Sequence, residues 1–339
     1  MIKRGILIFV CFFGYVAQAQ IGGKYTYQFL NLVSSPRQAA LGGKNITTYD
    51  YDPTSGLYNP ANINFRMTNQ LSVNYVNYLA DVNFGSAAYV FRSGRKENVF
   101  HTGVTYINYG TFDGYDEFGN ATGEFGGGEA AVSFGYAFNI PWSDFYVGAN
   151  AKLISSKLEQ YSSFGGALDL GITYYYEDWD LIIAAVARNI GTQFTAYDEI
   201  YEPLPLEVDL GISQELEMVP IRWHVTLENL QQYKLTFRNT ARDETDLGGN
   251  TTKDDPGFIN NILRHTVLGV ELFPEGGFNL RIGYNFRRGE ELRIIDQRSF
   301  AGLSGGISIK FNKLRLSYSY MRFNSTGGSS FFGLNLNMD

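Results

Sequence analysis

The sequence predicts an all-β fold, a transmembrane β-barrel of an outer membrane with about fourteen antiparallel strands. Three observations carry that expectation. From residue 69 to 338 the chain alternates apolar and polar residues in one short stretch after another. The polar set carries full charges, so it must meet water while the other set meets something apolar. A secretory signal precedes all of it. A closed barrel with lipid outside and a polar lumen satisfies the three together, because closure leaves no unpaired strand edge in the bilayer.

The N-terminus begins with Lys3 and Arg4, continues through an apolar run from Ile6 to Phe13, and reaches Ala17-Gln18-Ala19 as a small-residue cleavage site before Gln20. Residues 1–19 are therefore read as a signal peptide; the run is too short to span a bilayer. Cys11 is flanked by Val10 and Phe12, where a lipoprotein signal needs small residues. It is the single cysteine of the chain. Removal of the signal leaves a mature chain without disulfides or thiol catalysis.

Composition agrees. Aromatic residues are 16%, with 24 Tyr and 26 Phe, enough for girdles at two membrane interfaces. No apolar stretch reaches the length of about 18 residues that a membrane helix needs. The net charge of -7 is spread along the chain with no basic cluster, which excludes nucleic acid as a partner.

Residues 20–66 do not alternate. They contain Tyr27-Gln28-Phe29-Leu30-Asn31-Leu32, then Arg37-Gln38-Ala39-Ala40-Leu41-Gly42-Gly43, then Asn59-Pro60-Ala61. This is too much chain for a simple tail, and its apolar residues need somewhere to pack. The barrel lumen is available, so the segment is expected to form a plug, with Gly42, Gly43 and Asn59-Pro60 supplying turns. Arg37 either pairs with a lumen carboxylate or is solvated.

The barrel itself is expected over 67–339, with strands near 69–78, 82–92, 98–108, 129–139, 144–154, 164–174, 179–188, 205–216, 220–230, 264–273, 277–287, 300–310, 313–323 and 329–338. Leu206, Val208, Leu210 and Ile212, for example, interleave with Glu207, Asp209, Gly211 and Ser213. The seventh strand, around Leu181 to Arg188, alternates poorly. Links after even-numbered strands are short, such as Pro274-Glu275-Gly276 and Asn312. Links after the third, fifth, seventh, ninth and eleventh are longer. Short turns belong to the periplasm and long loops to the outside, which puts both termini in the periplasm. The links near Leu79 and from Asn324 to Gly328 are short exceptions.

Two outer loops stand out. Gly110 to Gly128 is rich in Gly and Asp and reads as a mobile rim. Gln231 to Leu263 is polar, yet Asp254-Asp255-Pro256 precedes Phe258, Ile259, Ile262 and Leu263 at helical spacing. That helix either caps the barrel mouth or offers the four apolar residues to a partner.

Enzyme chemistry is missing from the motifs. His101, His224 and His265 fall on separate strands, with no His-x-x-x-His or Glu-x-x-His spacing for a metal. His224 is on a polar face, where a lumen hydrogen bond is expected. There is no Gly-x-Ser-x-Gly elbow, and Gly126-Gly127-Gly128 precedes a strand, the wrong context for a dinucleotide. The chain reads as a non-enzyme without cofactor or metal. Glu207, Asp209, Arg222, Glu228, Arg281, Arg287, Lys310 and Arg315 occupy polar faces with both signs present. A salt-bridged interior holding the plug explains them better than a selectivity filter of one sign.

An N-terminal plug with an Asn-Pro-Ala turn leading into about fourteen strands resembles the FadL superfamily of outer-membrane proteins. Within it, the Phe29-Leu30-x-Leu32 stretch, the Arg37-x-Ala39-Ala40-Leu41-Gly42-Gly43 run and the Asp52-Pro53 to Asn59-Pro60-Ala61 spacing resemble the PorQ-like proteins of the type IX secretion system. The related PorV proteins share the fold and the Asn-Pro-Ala turn; the opening from Phe29 to Gly43 favours the PorQ-like group. The likeness covers the mature chain in architecture, with its motifs confined to 27–61. One departure is the C-terminus, Met338-Asp339, where an aromatic residue usually ends the last strand; Phe331 and Phe332 are the nearest substitutes. The resemblance implies a barrel of the cell-surface attachment complex, with a PorZ-like surface protein held outside and PorU- and PorV-like components beside it. It also implies contact with lipopolysaccharide as well as lipid, and PorU-like proteins do the chemistry. The competing implication is a FadL-like transporter of fatty acids or other hydrophobic compounds.

Overall fold

The computed structural model describes residues 25–78, 82–93, 98–236, 244–245, 251–252, 257–292, 300–322 and 327–338. The expected signal peptide, Leu79, Asn250, Asp254-Asp255-Pro256 and Asn324 lie outside the described residues. Among the described residues fourteen antiparallel strands close into a barrel. They are β1 (Gln70–Asn77), β2 (Asn83–Arg92), β3 (Val99–Tyr115), β4 (Ala121–Asn139), β5 (Phe145–Leu158), β6 (Tyr161–Tyr176) and β7 (Leu181–Thr195). Then come β8 (Glu207–Glu215), β9 (Ile221–Leu227), β10 (Thr266–Leu272), β11 (Phe278–Asn285), β12 (Leu303–Phe311), β13 (Leu314–Arg322) and β14 (Gly328–Asn337). Each strand pairs with its neighbours in sequence, and β14 closes on β1 with Gln70 opposite Asn337. Three short helices accompany them: α1 (Pro36–Ala40), α2 (Phe258–His265) and α3 (Phe286–Glu291).

The alternation decides which face is which. In β8, Glu207, Asp209, Gly211 and Ser213 point into the lumen, with both carboxylates fully buried, while Leu210 is exposed on the outside. In β4, Val132, Phe134, Tyr136 and Phe138 are exposed, and Ala131, Ser133 and Ala137 face inward. This is an inside-out arrangement for water and the expected one for lipid. Aromatic residues gather outside one mouth: Phe91 and Phe100 stack, Tyr174 and Tyr176 stack, and Trp179 meets Tyr176 edge-on. Trp142 in a turn and Phe311 at the end of β12 stand out at the same end. That mouth carries the short turns; the other carries the long connections.

The wall is uneven in height. β3 has 17 residues and β4 19, whereas β9 and β10 have 7 each. At a rise of about 3.4 Å per residue and a tilt near 40°, β4 rises about 50 Å and β9 about 18 Å. The expected rim from Gly110 to Gly128 is therefore mostly strand. The β3–β4 ladder continues to Tyr115 opposite Ala121, with register shifts at Asn108/Thr111 and Gly114/Tyr115. Above a bilayer both faces of a hairpin meet water, so the ladder needs no alternation and the sequence shows none. The link after the fifth strand is also short, only Glu159 and Gln160, because β5 and β6 are tall as well.

β11 ends at Asn285, two residues before the expected end. The Asn285 side chain accepts a hydrogen bond from Arg288 N at 2.8 Å, which starts α3. The expectation of both termini on one side falls on residues outside the described ones, but the described ends of the chain lie apart. Thr26 N donates to Pro203 O in the β7–β8 connection, at the mouth of the long connections. Met338 N donates to Asn69 O at the mouth of the short turns. Tyr25 and Met338, the first and last described residues, thus lie at opposite ends of the barrel.

Candidate functional site: the occupied lumen

Residues 25–67 run through the lumen from one mouth to the other, and most of them are buried. At the long-connection mouth, Tyr27 and Phe29 pack with Leu204 against a ring of inward apolar residues that includes Val76, Phe84, Ile107, Ile154 and Phe331. Leu30 is half-buried against the same cluster. The chain then turns through α1, whose start is set by Pro36 at its first position. It leaves α1 through Leu41 into Gly42 and Gly43, both at positive φ (98° and 142°), which non-glycine residues rarely adopt.

The wall carries glycines where this segment comes closest. A Cβ at Gly283 would lie 2.1 Å from Gly42 N, and one at Gly269 would lie 3.0 Å from Leu41 Cδ2. Opposite the second turn, a Cβ at Gly171 would lie 2.1 Å from Asn59 Oδ1 and one at Gly148 2.3 Å from the Pro60 carbonyl carbon. Asn59 holds that turn: Oδ1 accepts from Ala61 N at 3.0 Å, and Nδ2 donates to Ile46 O and to Thr173 Oγ1 on β6, each at 3.0 Å. Pro60 follows at the first position of a 3-10 turn, and Ala61 is fully buried. The Asn-Pro-Ala motif is thus a tight turn that bonds to the wall through its first side chain.

Three buried charge groups complete the contact. Arg37 Nη2 lies 2.8 Å from Glu271 Oε1 on β10, and its Nη1 donates to Asp50 Oδ1 at 2.7 Å. Glu271 also meets Arg281 Nε at 3.2 Å and His224 Nε2 at 3.0 Å, and His224 Nδ1 lies 3.2 Å from Thr47 Oγ1. Arg222 reaches Asp50 at 3.2 Å. Asp50 is thus a carboxylate shared by two guanidinium groups, one from the segment and one from β9. In the second group Lys44 pairs with Glu207, which shares Arg188 with Asp209 (2.6 and 3.0 Å). In the third, Lys152 meets Asp169 at 2.6 Å. Two of the three groups join the segment to the wall.

Most of the charged positions read from the sequence line this lumen, with two exceptions. Arg287 sits on α3, one-third exposed and 2.9 Å from Glu291, because the strand has already ended. Lys310 is exposed near the end of β12. Glu271, Arg188, Asp169, Lys152, Lys44 and Asp50 are additional members that the sequence reading passed over. The wall residues among them sit at inward positions of period two, which was their only local signal. Phe258, Ile259, Ile262 and Leu263 form an exposed stripe on α2, away from the lumen, while Asn261, Arg264 and His265 are buried on its other face. Among the described residues no group of three His, Cys, Asp or Glu side chains is arranged to hold a metal.

Fold and lumen together define a closed antiparallel β-barrel with an apolar exterior and an interior occupied by its own N-terminal segment. No protein-family model matches the chain, and no curated protein does. Among solved structures it is similar to a Pseudomonas aeruginosa FadL homologue, with a TM-score of 0.49 and 11% identity over 91% of this chain and 99% of that one. It is also similar to the KdgM porin, with a TM-score of 0.35 and 8% identity over 80% of this chain and 99% of that one. A triple mutant of the Rhodopseudomonas blastica porin aligns at 0.29 and 11% identity, over 79% of this chain and 98% of that one.

Proposed function

We propose that this chain is a non-enzymatic outer-membrane barrel, plugged by residues 25–67, that anchors proteins at the cell surface. The observation that carries the reading is the occupied lumen. A conduit needs a path, and here the wall and the segment meet through buried ion pairs and glycine-to-backbone contacts that leave little to flow through. The long-connection mouth faces outside in this reading, and the tall β3–β7 half of the wall stands above the membrane as a platform. Its tip offers exposed Tyr115 and Phe118. The resemblance of residues 27–61 to the PorQ-like proteins makes the partner a PorZ-like surface protein of a type IX attachment complex, with PorU- and PorV-like components and lipopolysaccharide nearby.

A second reading, a FadL-like transporter of hydrophobic compounds, is favoured by one observation: the inward apolar ring around Tyr27 and Phe29 at the long-connection mouth. A mild-detergent pull-down of the tagged chain with mass spectrometry separates the two. Recovery of a PorZ-like protein, with fatty-acid uptake unchanged in a deletion strain, supports the anchor. Loss of uptake with no such protein recovered would replace it with the transporter. In planar bilayers the purified barrel is expected to stay closed.

A further inference from the structure

Helix α2 has its polarity reversed for a helix in water. Phe258, Ile259, Ile262 and Leu263 are 65%, 73%, 44% and 40% exposed, while Asn261, Arg264 and His265 are buried. The buried polar side is fixed: Asn261 Oδ1 accepts from Leu235 N at 3.0 Å, its amide donates to Tyr233 O, and His265 Nδ1 lies 2.7 Å from Glu228 O. The apolar side is therefore held outward by specific bonds.

The stripe leads into the outer wall. Phe258 and Ile262 are four apart, and the next position in that row is Thr266, the first residue of β10. Thr266 lies on the outward face of β10, in line with Leu268 and Val270, which are 38% and 39% exposed. Its hydroxyl donates to Ile262 O at 3.1 Å. The helix thus continues the apolar face of the strand it precedes. It does so where the wall is lowest. β9 and β10 with 7 residues each rise about 18 Å, below the roughly 25 Å of an apolar membrane band. Ladder bonds beyond each end (Glu228 N to His265 O and Phe273 N to Pro220 O) add only a few ångströms.

We propose that the Phe258–Ile262 face of α2 is a lipid-contacting surface that completes the low side of the barrel wall in the outer leaflet. This rests on the membrane reading above. The occupant is acyl chain, because the stripe is continuous with the outward residues of β10 and bears no charge.

The test uses single cysteines at Phe258, Ile262, Val270 and Phe118, each carrying a nitroxide, in the full chain reconstituted into lipid nanodiscs. Cys11, the one native cysteine, falls in the predicted signal peptide. Collision with oxygen, which concentrates in lipid, is compared with collision with a water-soluble nickel chelate. Labels at 258 and 262 are expected to favour oxygen as the label at 270 does, and the label at 118 to favour nickel. If 270 favours oxygen but 258 and 262 favour nickel, the proposal is overturned while the membrane reading survives, and the stripe becomes a surface for a protein partner. Shielding of 258 and 262 from both probes also overturns it, because another part of the protein then covers the face. Nickel access at 270 removes the membrane reading and this proposal with it.

Discussion

Arg37 and Glu271, 234 positions apart, meet at 2.8 and 3.0 Å with both side chains buried in the lumen. Neither is matched only by the other. Arg37 also holds Asp50, and Glu271 also holds Arg281 and His224. The two ends of the pair are therefore unequal. Glu271→Gln removes the one carboxylate shared by Arg37 and Arg281 and leaves buried cationic charge, a loss approaching about 3–5 kcal/mol. Arg37→Ala leaves Glu271 with two partners and should cost about 1–3 kcal/mol. Urea unfolding of the reconstituted barrel should rank them in that order, and equal losses would refute the shared-carboxylate account.

The glycine contacts make a sharper prediction. Gly283→Ala puts a methyl group against the backbone at Gly42, which cannot swing away as a side chain could. Such overpacking costs about 1–3 kcal/mol or more. Gly305→Ala on neighbouring β12 meets only Arg281 O at 3.6 Å and should be neutral. Trypsin reports the difference: Arg37 and Lys44, both buried, should resist cleavage in the parent and in Gly305→Ala and become cleavable in Gly283→Ala.

Asp50 joins the segment to β9 through two guanidinium groups, Arg37 at 2.7 Å and Arg222 at 3.2 Å. Asp50→Asn keeps the shape but removes the shared charge, and should cost about 3–5 kcal/mol because two buried cations then lose a partner. Urea unfolding of the reconstituted variant checks this; an unchanged midpoint would mean that Asp50 does not hold the segment.

Topology can be read from labelling on intact cells. Tyr25→Cys and Asn120→Cys, both at the long-connection mouth, should react with an impermeant maleimide. Glu275→Cys and Met338→Cys, at the short-turn mouth, should react only after the outer membrane is opened. Labelling of Tyr25→Cys together with Met338→Cys, and not with Asn120→Cys, would contradict the opposite placement of the two ends.

Strand identity was legible wherever one face was forced to differ from the other. Leu206 to Ser213 announced β8 because lipid and lumen impose opposite demands on successive residues. The same logic was silent at Gly110 to Gly128, where water on both sides removes the contrast although the ladder continues. It misled at Phe286 and Arg287, which keep the alternating pattern while the Asn285 side chain turns the backbone into α3. The motifs of the lumen segment were visible as turns, but their counterparts were not. Gly171 and Gly283 look like ordinary strand glycines until Asn59 and Gly42 are seen against them. The partnership of Arg37 with Glu271 is set by closure of the whole barrel, which no local window contains.

A segment that enters at one mouth, leaves at the other and fits its wall to within a methyl group has consequences for how the molecule is made. At Gly148, Gly171, Gly269 and Gly283 wall and segment meet with no room for one added carbon. A wall that closes around the segment meets this demand more easily than a finished cylinder that must admit it, and β1 pairing with β14 is where such closure ends. On that account a disulfide across the Gln70–Asn337 edge should slow release of the segment in urea.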